Sequence, residues 1–219
     1  MGIVTQRSGP LVIGVDIGQK RDPTAIAVVE IDSRPDERGQ TETHFVGRYL
    51  ARLPLGTPYP VVARRVAEIA ARAGDQAGAQ LVVYVYLDAT GVGQPIVDLV
   101  AEQRIKAWIL PVYFTHGDRR SQDLEKVTLG KAFLVSRLQA LLQSRRVHLP
   151  ESSEARALAQ ELEDYEIRVS EDANDRYGAF RTGTHDDLVT ALGMAVQIDQ
   201  PKPLKPPVVR MTMPNPPGL

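Results

Sequence analysis

The chain contains no cysteine at any of its 219 positions. This absence excludes disulfide bonds and thiolate metal ligands, and it favours an intracellular location. No apolar run reaches the length of a membrane-spanning helix, and the N-terminus lacks the basic and apolar segments of a signal peptide. We therefore expect a soluble globular protein of one domain, with no membrane partner.

The chain also lacks a large excess of charge of either sign. It has 26 basic and 27 acidic residues, so its formal net charge at pH 7 is −1. Overall charge therefore does not indicate a nucleic-acid partner, which has to be argued from local charge. Seven prolines lie within residues 201–219. We predict a flexible lead-in at 1–10, a folded domain at 11–199 and a Pro-rich, disordered tail at 200–219.

Three apolar stretches open the domain, at 11–18, 24–31 and 41–52. Short polar turns separate them, so they predict an antiparallel meander of three strands. Pro60 then begins a helix, a position that suits proline, and Gly74 and Gly78 are predicted to end it.

Two further strands, at 81–87 and 107–114, flank a short helix and predict a parallel pair joined by a crossover. Proline cannot donate a hydrogen bond to a neighbouring strand. Pro111 therefore predicts that the second strand lies at the edge of the sheet or that the strand ends at this residue. The remaining predictions are an exposed loop at 115–128, helices at about 129–142, 151–164 and 184–198, an extended piece at 147–150, and a hairpin of 165–169 with 177–181. Antiparallel strands followed by parallel strands with helical crossovers predict a ribonuclease-H-like α/β fold with a mixed sheet, flanking helices and a β-hairpin.

Carboxylates stand at the ends of two predicted strands and at the start of the last helix. Asp16 and Asp88 follow buried strands, and Asp186 and Asp187 open an apolar helix. Such positions converge at one edge of a sheet, where clustered carboxylates need a cation. The sequence thus predicts a site for two Mg²⁺ or Mn²⁺ ions and two-metal phosphodiester hydrolysis. His185 is an auxiliary candidate that could orient water or phosphate, or lie at the surface.

Each carboxylate also has a purely structural interpretation. Asp16 could terminate a strand, and Asp88 could shape a turn or cap the following helix. Asp187 lies three residues after Thr184, which fits a capping box, and Asp186 would favour a helix N-terminus through the dipole. The three clusters together favour the metal site over these separate explanations.

Positive charge is concentrated between Arg104 and Arg146, where nine basic residues face three acidic ones. The side chains that could contact DNA phosphates are Arg119, Arg120, Lys126, Lys131, Arg137, Arg145 and Arg146. The alternative is that they form the solvated faces of a loop and a helix.

Three motifs resemble the nuclease domain of tailed-bacteriophage terminase large subunits. They are Val15-Asp16-Ile17-Gly18 with Asp22-Pro23-Thr24-Ala25, Leu87-Asp88-Ala89-Thr90-Gly91-Val92-Gly93, and Gly183-Thr184-His185-Asp186-Asp187-Leu188. The resemblance covers about residues 10–199. It implies a metal-dependent endonuclease that cuts double-stranded DNA with little sequence specificity during genome packaging, in the cytoplasm of the infected bacterial host.

The resemblance further implies metal ligation by Asp16, Asp88 and Asp186, with Asp187 as an assistant or alternative ligand. It places the 165–181 hairpin beside the active site and implies a portal protein, a small terminase subunit and a packaging ATPase domain as partners. No Walker-type glycine-rich loop is present in this sequence, because Gly130-Lys131 is followed by Ala132 and lacks the upstream glycine. We therefore expect an excised or separately encoded nuclease that does not hydrolyse ATP by itself.

Three alternatives remain open at this point. A Holliday-junction-resolvase-like nuclease of the same fold would act as a dimer on branched DNA. An actin-like or sugar-kinase-like ATPase also uses strand-end aspartates, but that fold needs two such domains and offers no reason for the paired aspartates of the last helix. A catalytically silent DNA-packaging module would keep the fold without turnover.

Overall fold

The structure is a computed structural model that describes residues 9–18, 22–77, 82–91, 94–169, 175–178 and 185–198. The predicted tail and residues 1–8 of the predicted lead-in lie outside these ranges. Within them, no helix is both long enough and apolar enough to cross a membrane.

The first three strands form the predicted antiparallel meander. They are β1 (Leu11–Asp16), β2 (Ala25–Pro35) and β3 (Thr41–Arg52), and β1 pairs with β2, which pairs with β3. Their β-branched and aromatic residues suit a pleated, buried surface. The strand β2 ends four residues later than predicted because its pairing with β3 continues to the turn.

Parallel strands and helices make up the next part of the chain. The elements are α1 (Tyr59–Ala77), β4 (Val83–Asp88), α2 (Gln94–Ala101) and β5 (Trp108–Thr115). The strand β4 pairs in parallel with both β1 and β5, which confirms the predicted crossover. One boundary was wrong: Gly74 lies inside α1, where glycine is tolerated at a cost of about 1 kcal/mol.

The C-terminal half completes the sheet and covers one of its faces. Its elements are β6 (Arg120–Gln122), β7 (Val127–Gly130), α3 (Lys131–Gln143), β8 (Val147–His148), α4 (Ser153–Asp164), β9 (Glu166–Val169), β10 (Asp175–Gly178) and α5 (Asp187–Ala195). Among the described residues, eight strands form one mixed sheet in the order β6-β7-β5-β4-β1-β2-β3-β8. The strands β9 and β10 pair as a hairpin whose second strand begins two residues before the predicted one, and residues 179–181 of that prediction lie outside the described residues.

The predicted loop at 115–128 is wrong, because this segment contains β6 and the start of β7. Val127 and Leu129 are buried on one side of β7 and extend the core, so the helix begins at Lys131 and not at Leu129. The segment is polar because β6 is a short edge strand whose side chains are half-buried or exposed. That polar composition is why the sequence indicated a loop.

The expectation for Pro111 is also wrong, since it lies within β5, between β4 and β7 in the sheet. Ala89 N donates to Val112 O, so Val112 faces β4 and the preceding proline faces the opposite side. Pairing of β5 with β7 begins only at Val112 and Val127. The nitrogen of Pro111 therefore faces the β7 side of β5 at a level where β7 has not yet begun, so no ladder hydrogen bond is needed there.

Two apolar cores cover the two faces of the sheet. Leu11, Ile13 and Val15 of β1 pack with α1 and α2, whereas Val12 faces the core that contains α5. This alternation follows from the period of two along a strand. The even-numbered residues of β1, which include Asp16, therefore share a face with α5.

Candidate active site

The sheet brings Asp16 and Asp88 together at its edge. Val15 lies opposite Leu87 in the parallel β1–β4 pair, so the aspartates that follow occupy neighbouring positions. Tyr86 belongs to the same core as α5, and strand alternation places Asp88 on that face as well. Both predicted strand-end carboxylates are therefore directed to the side of the sheet that α5 covers.

Gly14 lets α5 approach the sheet closely enough to complete this arrangement. A Cβ built at Gly14 would lie 2.0 Å from the carbonyl oxygen of Ala191 in α5. The helix begins with Asp186 as its N-cap residue, and nearly all of its length is buried. Its N-terminus thus delivers Asp186 and Asp187 to the strand ends, where the helix dipole favours negative charge.

An open cleft of about 550 Å³ lies at this point and contains the four predicted aspartates. Its lining residues are Asp16, Ile17, Gly18, Asp22, Asp88, Thr90, Phe114, Lys131, Asp186, Asp187 and Thr190. The polar groups in this set are carboxylates, hydroxyls and one ammonium group. Oxygen ligands of this kind suit hard divalent cations.

The electrostatics of the cleft centre on Asp16, which is half-buried. Burial raises the pKa of Asp16 well above its ordinary value, and the charges of Asp88 and Asp186 raise it further. The ammonium group of Lys131 acts in the opposite direction, while Asp187 adds a smaller rise. The carboxylates therefore repel one another, and a bound cation would relieve that repulsion.

Asp88 also shapes the turn that follows β4. Its Oδ1 accepts a hydrogen bond of 2.8 Å from Thr90 N, and Thr90 Oγ1 accepts one of 2.8 Å from Phe114 N. Asp88 therefore does shape the turn after β4, as its structural interpretation predicted. It leaves the second carboxylate oxygen, Oδ2, available to the cleft.

Asp187 is held by an ion pair that the sequence did not predict. It is only 2% exposed, and its Oδ2 lies 2.7 Å from Nε of Arg52 at the end of β3. Arg52 also pairs with Glu161 of α4, whose Oε2 accepts a 3.0 Å hydrogen bond from Val189 N. One arginine and two buried carboxylates therefore fasten the first turn of α5 to β3 and α4.

The capping-box explanation of Asp187 is wrong. The helix begins after Asp186, so Asp187 is its first residue and not its third. Thr184, the predicted partner in that motif, lies outside the described residues.

His185 lies at the rim of the cleft and is 39% exposed. Its Nδ1 is 3.9 Å from Oδ1 of Asp22 and 3.9 Å from Oδ1 of Asp187. These separations are too long for hydrogen bonds, so His185 stands beside the carboxylates without being fixed by either.

The predicted basic residues do not form one patch. Lys131 lines the cleft, with its Nζ 5.7 Å from the centre of the Phe114 ring, and the backbone of Arg119 adjoins it through a 2.8 Å bond from Gly130 N. Arg137 Nε donates to Val196 O at 2.8 Å, and Arg146 Nε donates to Thr43 O at 2.7 Å, so both support the fold. Arg120 bonds to Gln122, whereas Lys126 lies in the turn between β6 and β7 and Arg145 follows the end of α3.

Sequence reasoning missed several residues of the site. Asp22 and Thr90 belonged to the motifs that carried the resemblance, so their position in the motif was an available signal. Arg52 and Glu161 gave no such signal, because their partner Asp187 is distant in the chain.

A mixed sheet with this strand order and an acidic cleft beneath a buried helix defines the ribonuclease-H-like class. The family described as terminase RNaseH-like domain matches residues 61–198, and the chain belongs to this family. The resemblance predicted from the motifs is therefore confirmed. Comparison with curated proteins by sequence gives no match.

Solved structures of terminases share the fold. The large terminase nuclease from thermophilic phage G20c with bound magnesium is 22% identical, with 85% of this chain and 79% of that chain covered and a TM-score of 0.60. The inhibitor-bound, manganese-soaked terminase nuclease domain of human cytomegalovirus is 13% identical, with 89% and 85% covered and a TM-score of 0.57. The bacteriophage HK97 large terminase is 12% identical, with 87% of this chain but 39% of that chain covered and a TM-score of 0.53.

Proposed function

We propose that this chain is a divalent-metal-dependent endonuclease that cuts double-stranded DNA with little sequence specificity, as the genome-cleaving part of a viral packaging machine. One observation carries the proposal: carboxylates from two parallel strands and from one helix N-terminus meet in a single cleft. Membership of a terminase family supports a role in DNA packaging. We infer that the chain acts in the cytoplasm of an infected bacterial cell, with a portal protein, a small terminase subunit and a packaging ATPase domain as partners.

The residues of the cleft fit Mg²⁺ or Mn²⁺. Within the described part of the chain, no three acidic or imidazole side chains are grouped tightly enough to bind one ion together. Magnesium usually takes one or two carboxylates and keeps several waters, so it can bind without a closely grouped set of three protein ligands. The relatives solved with magnesium or manganese support the same choice of metal.

We assign Asp16, Asp88 and Asp186 as the metal ligands. Asp16 would hold metal together with Asp88 and Asp186, because all three carboxylates line the same cleft. Asp187 would act as a positioning residue, since its oxygens are directed to Arg52. Bound ions would polarise the scissile phosphodiester, lower the pKa of an attacking water and stabilise the leaving oxygen.

The chain's own groups would bind and orient the DNA. The ammonium group of Lys131, at the start of α3, is placed to contact a phosphate oxygen next to the carboxylates. A phosphate contact positions the strand without reading its sequence, which agrees with low specificity. His185 at the rim could orient a phosphate or water, and the hairpin of β9 and β10 remains a candidate for a second DNA contact.

Cleavage of supercoiled plasmid tests the proposal. Wild type should nick and linearise DNA with Mg²⁺ or Mn²⁺ but not with EDTA, and Asp88→Asn should lose at least about 100-fold, since metal stabilisation is worth several kcal/mol. Asp75→Asn, an exposed aspartate near the end of α1 on the far side of the sheet, is the matched control and should cut normally. Cleavage that persists in EDTA or in Asp88→Asn would refute the metal assignment. ATP hydrolysis without DNA cleavage would support the ATPase alternative instead.

A further inference from the structure

An apolar groove continues the cleft on the far side of His185. It has a volume of about 400 Å³ and is lined by Pro23, Arg52, Leu53, Pro54, Leu55 and His185. Pro54 is exposed, and Leu55 at 58% exposure is among the most exposed large apolar side chains of the described residues. Single exposed leucines are common, but a contiguous apolar rim beside an acidic cleft calls for an explanation.

The backbone holds Leu55 in a tight turn that follows β3. Thr57 N donates to Pro54 O at 3.1 Å, and Thr57 Oγ1 donates to the same oxygen at 2.5 Å. Gly56 has φ of +77°, which the third residue of such a turn requires and which glycine adopts without strain. The turn therefore holds the Leu55 side chain exposed to solvent and limits its movement back onto the protein surface.

The register of the sheet places this turn next to the catalytic carboxylates. Asp16 lies opposite Ala25, and Ala25 lies opposite Arg52, the last residue of β3. His185 stands between the two regions, because its Nδ1 is 3.9 Å from Asp22 and from Asp187. A duplex whose scissile phosphate occupies the cleft would thus extend over Leu55.

The chemistry of the groove suits sugars and base edges more than phosphates. Arg52 is already paired with Asp187 and Glu161, so its charge is compensated. The exposed atoms of Pro54 and Leu55 are aliphatic carbon. Apolar side chains of this kind contact the minor groove of DNA and partly unstack base steps.

We propose that Leu55, supported by Pro54, inserts into the minor groove of the duplex beside the scissile phosphate and opens one base step. This inference rests on the proposed nuclease function and names how the same site engages its substrate. Pyrimidine–purine steps are the easiest to unstack. Cuts should therefore be enriched at those steps although no base is read by hydrogen bonds.

Leu55→Ser tests the wedge, and Leu124→Ser is its matched control. Leu124 is 86% exposed on another tight turn, where Asp123 Oδ1 accepts from Glu125 N at 2.8 Å. It lies in the turn between β6 and β7, whereas Leu55 follows β3, and the strand order separates these two positions across the width of the sheet. On fully paired DNA, Leu55→Ser should cut on the order of tenfold more slowly and lose the step preference, because unstacking is no longer assisted. A duplex with a three-base mismatch bubble should be cut at the wild-type rate by both variants.

A second readout does not depend on cleavage. A duplex that carries 2-aminopurine at several pyrimidine–purine steps is mixed with protein in Ca²⁺, and its fluorescence rises when those bases unstack. Wild type and Leu124→Ser should raise the signal, and Leu55→Ser should not. Equal signals and equal cut patterns for wild type and Leu55→Ser would overturn the wedge and leave the nuclease proposal standing. A wild type that raises the fluorescence but never cuts would support the wedge and overturn the nuclease function, and one that does neither would overturn both.

Discussion

Replacement of Arg52 by methionine would remove the cation that joins β3, α4 and α5. Two carboxylates would then remain without their partner: Glu161 is 5% exposed and Asp187 is 2% exposed. Removing one partner of a buried ion pair costs about 3–5 kcal/mol, because the remaining charge stays desolvated. Since 28% of the Arg52 side chain is exposed, we expect the lower part of that range, about 3–4 kcal/mol.

That cost converts into a large change in thermal stability. A domain of this size loses about 2–4 °C in Tm for each kcal/mol, so Arg52→Met should melt about 6–16 °C below wild type. Circular dichroism during heating, in EDTA at about pH 7.5, measures the shift without any contribution from bound metal. Urea unfolding at about 25 °C gives the corresponding free energy of unfolding.

Two comparisons make the result specific to the buried charges. Arg65→Met removes an arginine whose pair with Glu68, at 3.0 Å, has side chains 35% and 57% exposed, and it should cost at most about 1 kcal/mol. The triple variant Arg52→Met, Glu161→Gln, Asp187→Asn should recover most of the loss, because no unpaired charge remains buried. An Arg52→Met protein within about 1 kcal/mol of wild type, or a triple variant no more stable than the single one, would refute this account.

Three other substitutions act through burial, charge and close packing. Asp16→Asn should raise the Tm of the metal-free protein at about pH 8. The raised folded-state pKa of Asp16 gives stability that is present at low pH and lost as the pH rises through that pKa, and asparagine stays neutral at every pH. A lower Tm of the variant in EDTA would contradict this. Burial lowers the pKa of His148 in the folded protein, so the folded state should lose stability as the pH drops from the unfolded-state pKa through the folded-state pKa of His148. The Tm of His148→Asn, measured against pH, should decline less over that range. Gly14→Ala should cost about 1–3 kcal/mol or more in urea unfolding, since its Cβ would lie 2.0 Å from Ala191 O; wild-type stability would show that α5 can move aside freely.

The fold and the convergence of the carboxylates could be predicted because both depend on local patterns. A period of two along β1 and β4 fixes which face Asp16 and Asp88 occupy, and an apolar helix after Asp186 fixes where its N-terminus lies. The structure places all three in one cleft. Their role as metal ligands stays a prediction that the plasmid experiment tests.

Other features depend on contacts between distant parts of the chain and left no local pattern. Arg52 meets Asp187 across 135 positions, and a basic residue at a strand end does not reveal its partner. Pro111 could be placed inside the sheet only once the start of β7 at Val127 was known. The difference in environment between Asp186 and Asp187 was also hidden, because adjacent residues of one helix start share every sequence signal and only the structure shows that Asp187 is buried against Arg52.

The position of α5 links stability to the proposed chemistry. The absence of a side chain at Gly14 lets the helix pack closely on β1. The ion pair of Arg52 with Asp187 and the hydrogen bond from Val189 N to Glu161 hold the helix in that position. Asp186 is the N-cap residue of this helix, so the contacts that position α5 also affect the distance from Asp186 to Asp16. A residue such as Arg52, which need not touch metal or DNA, would therefore tune metal affinity by holding the helix in register. The same few contacts that stabilise the fold would therefore also pre-organise the proposed metal ligands.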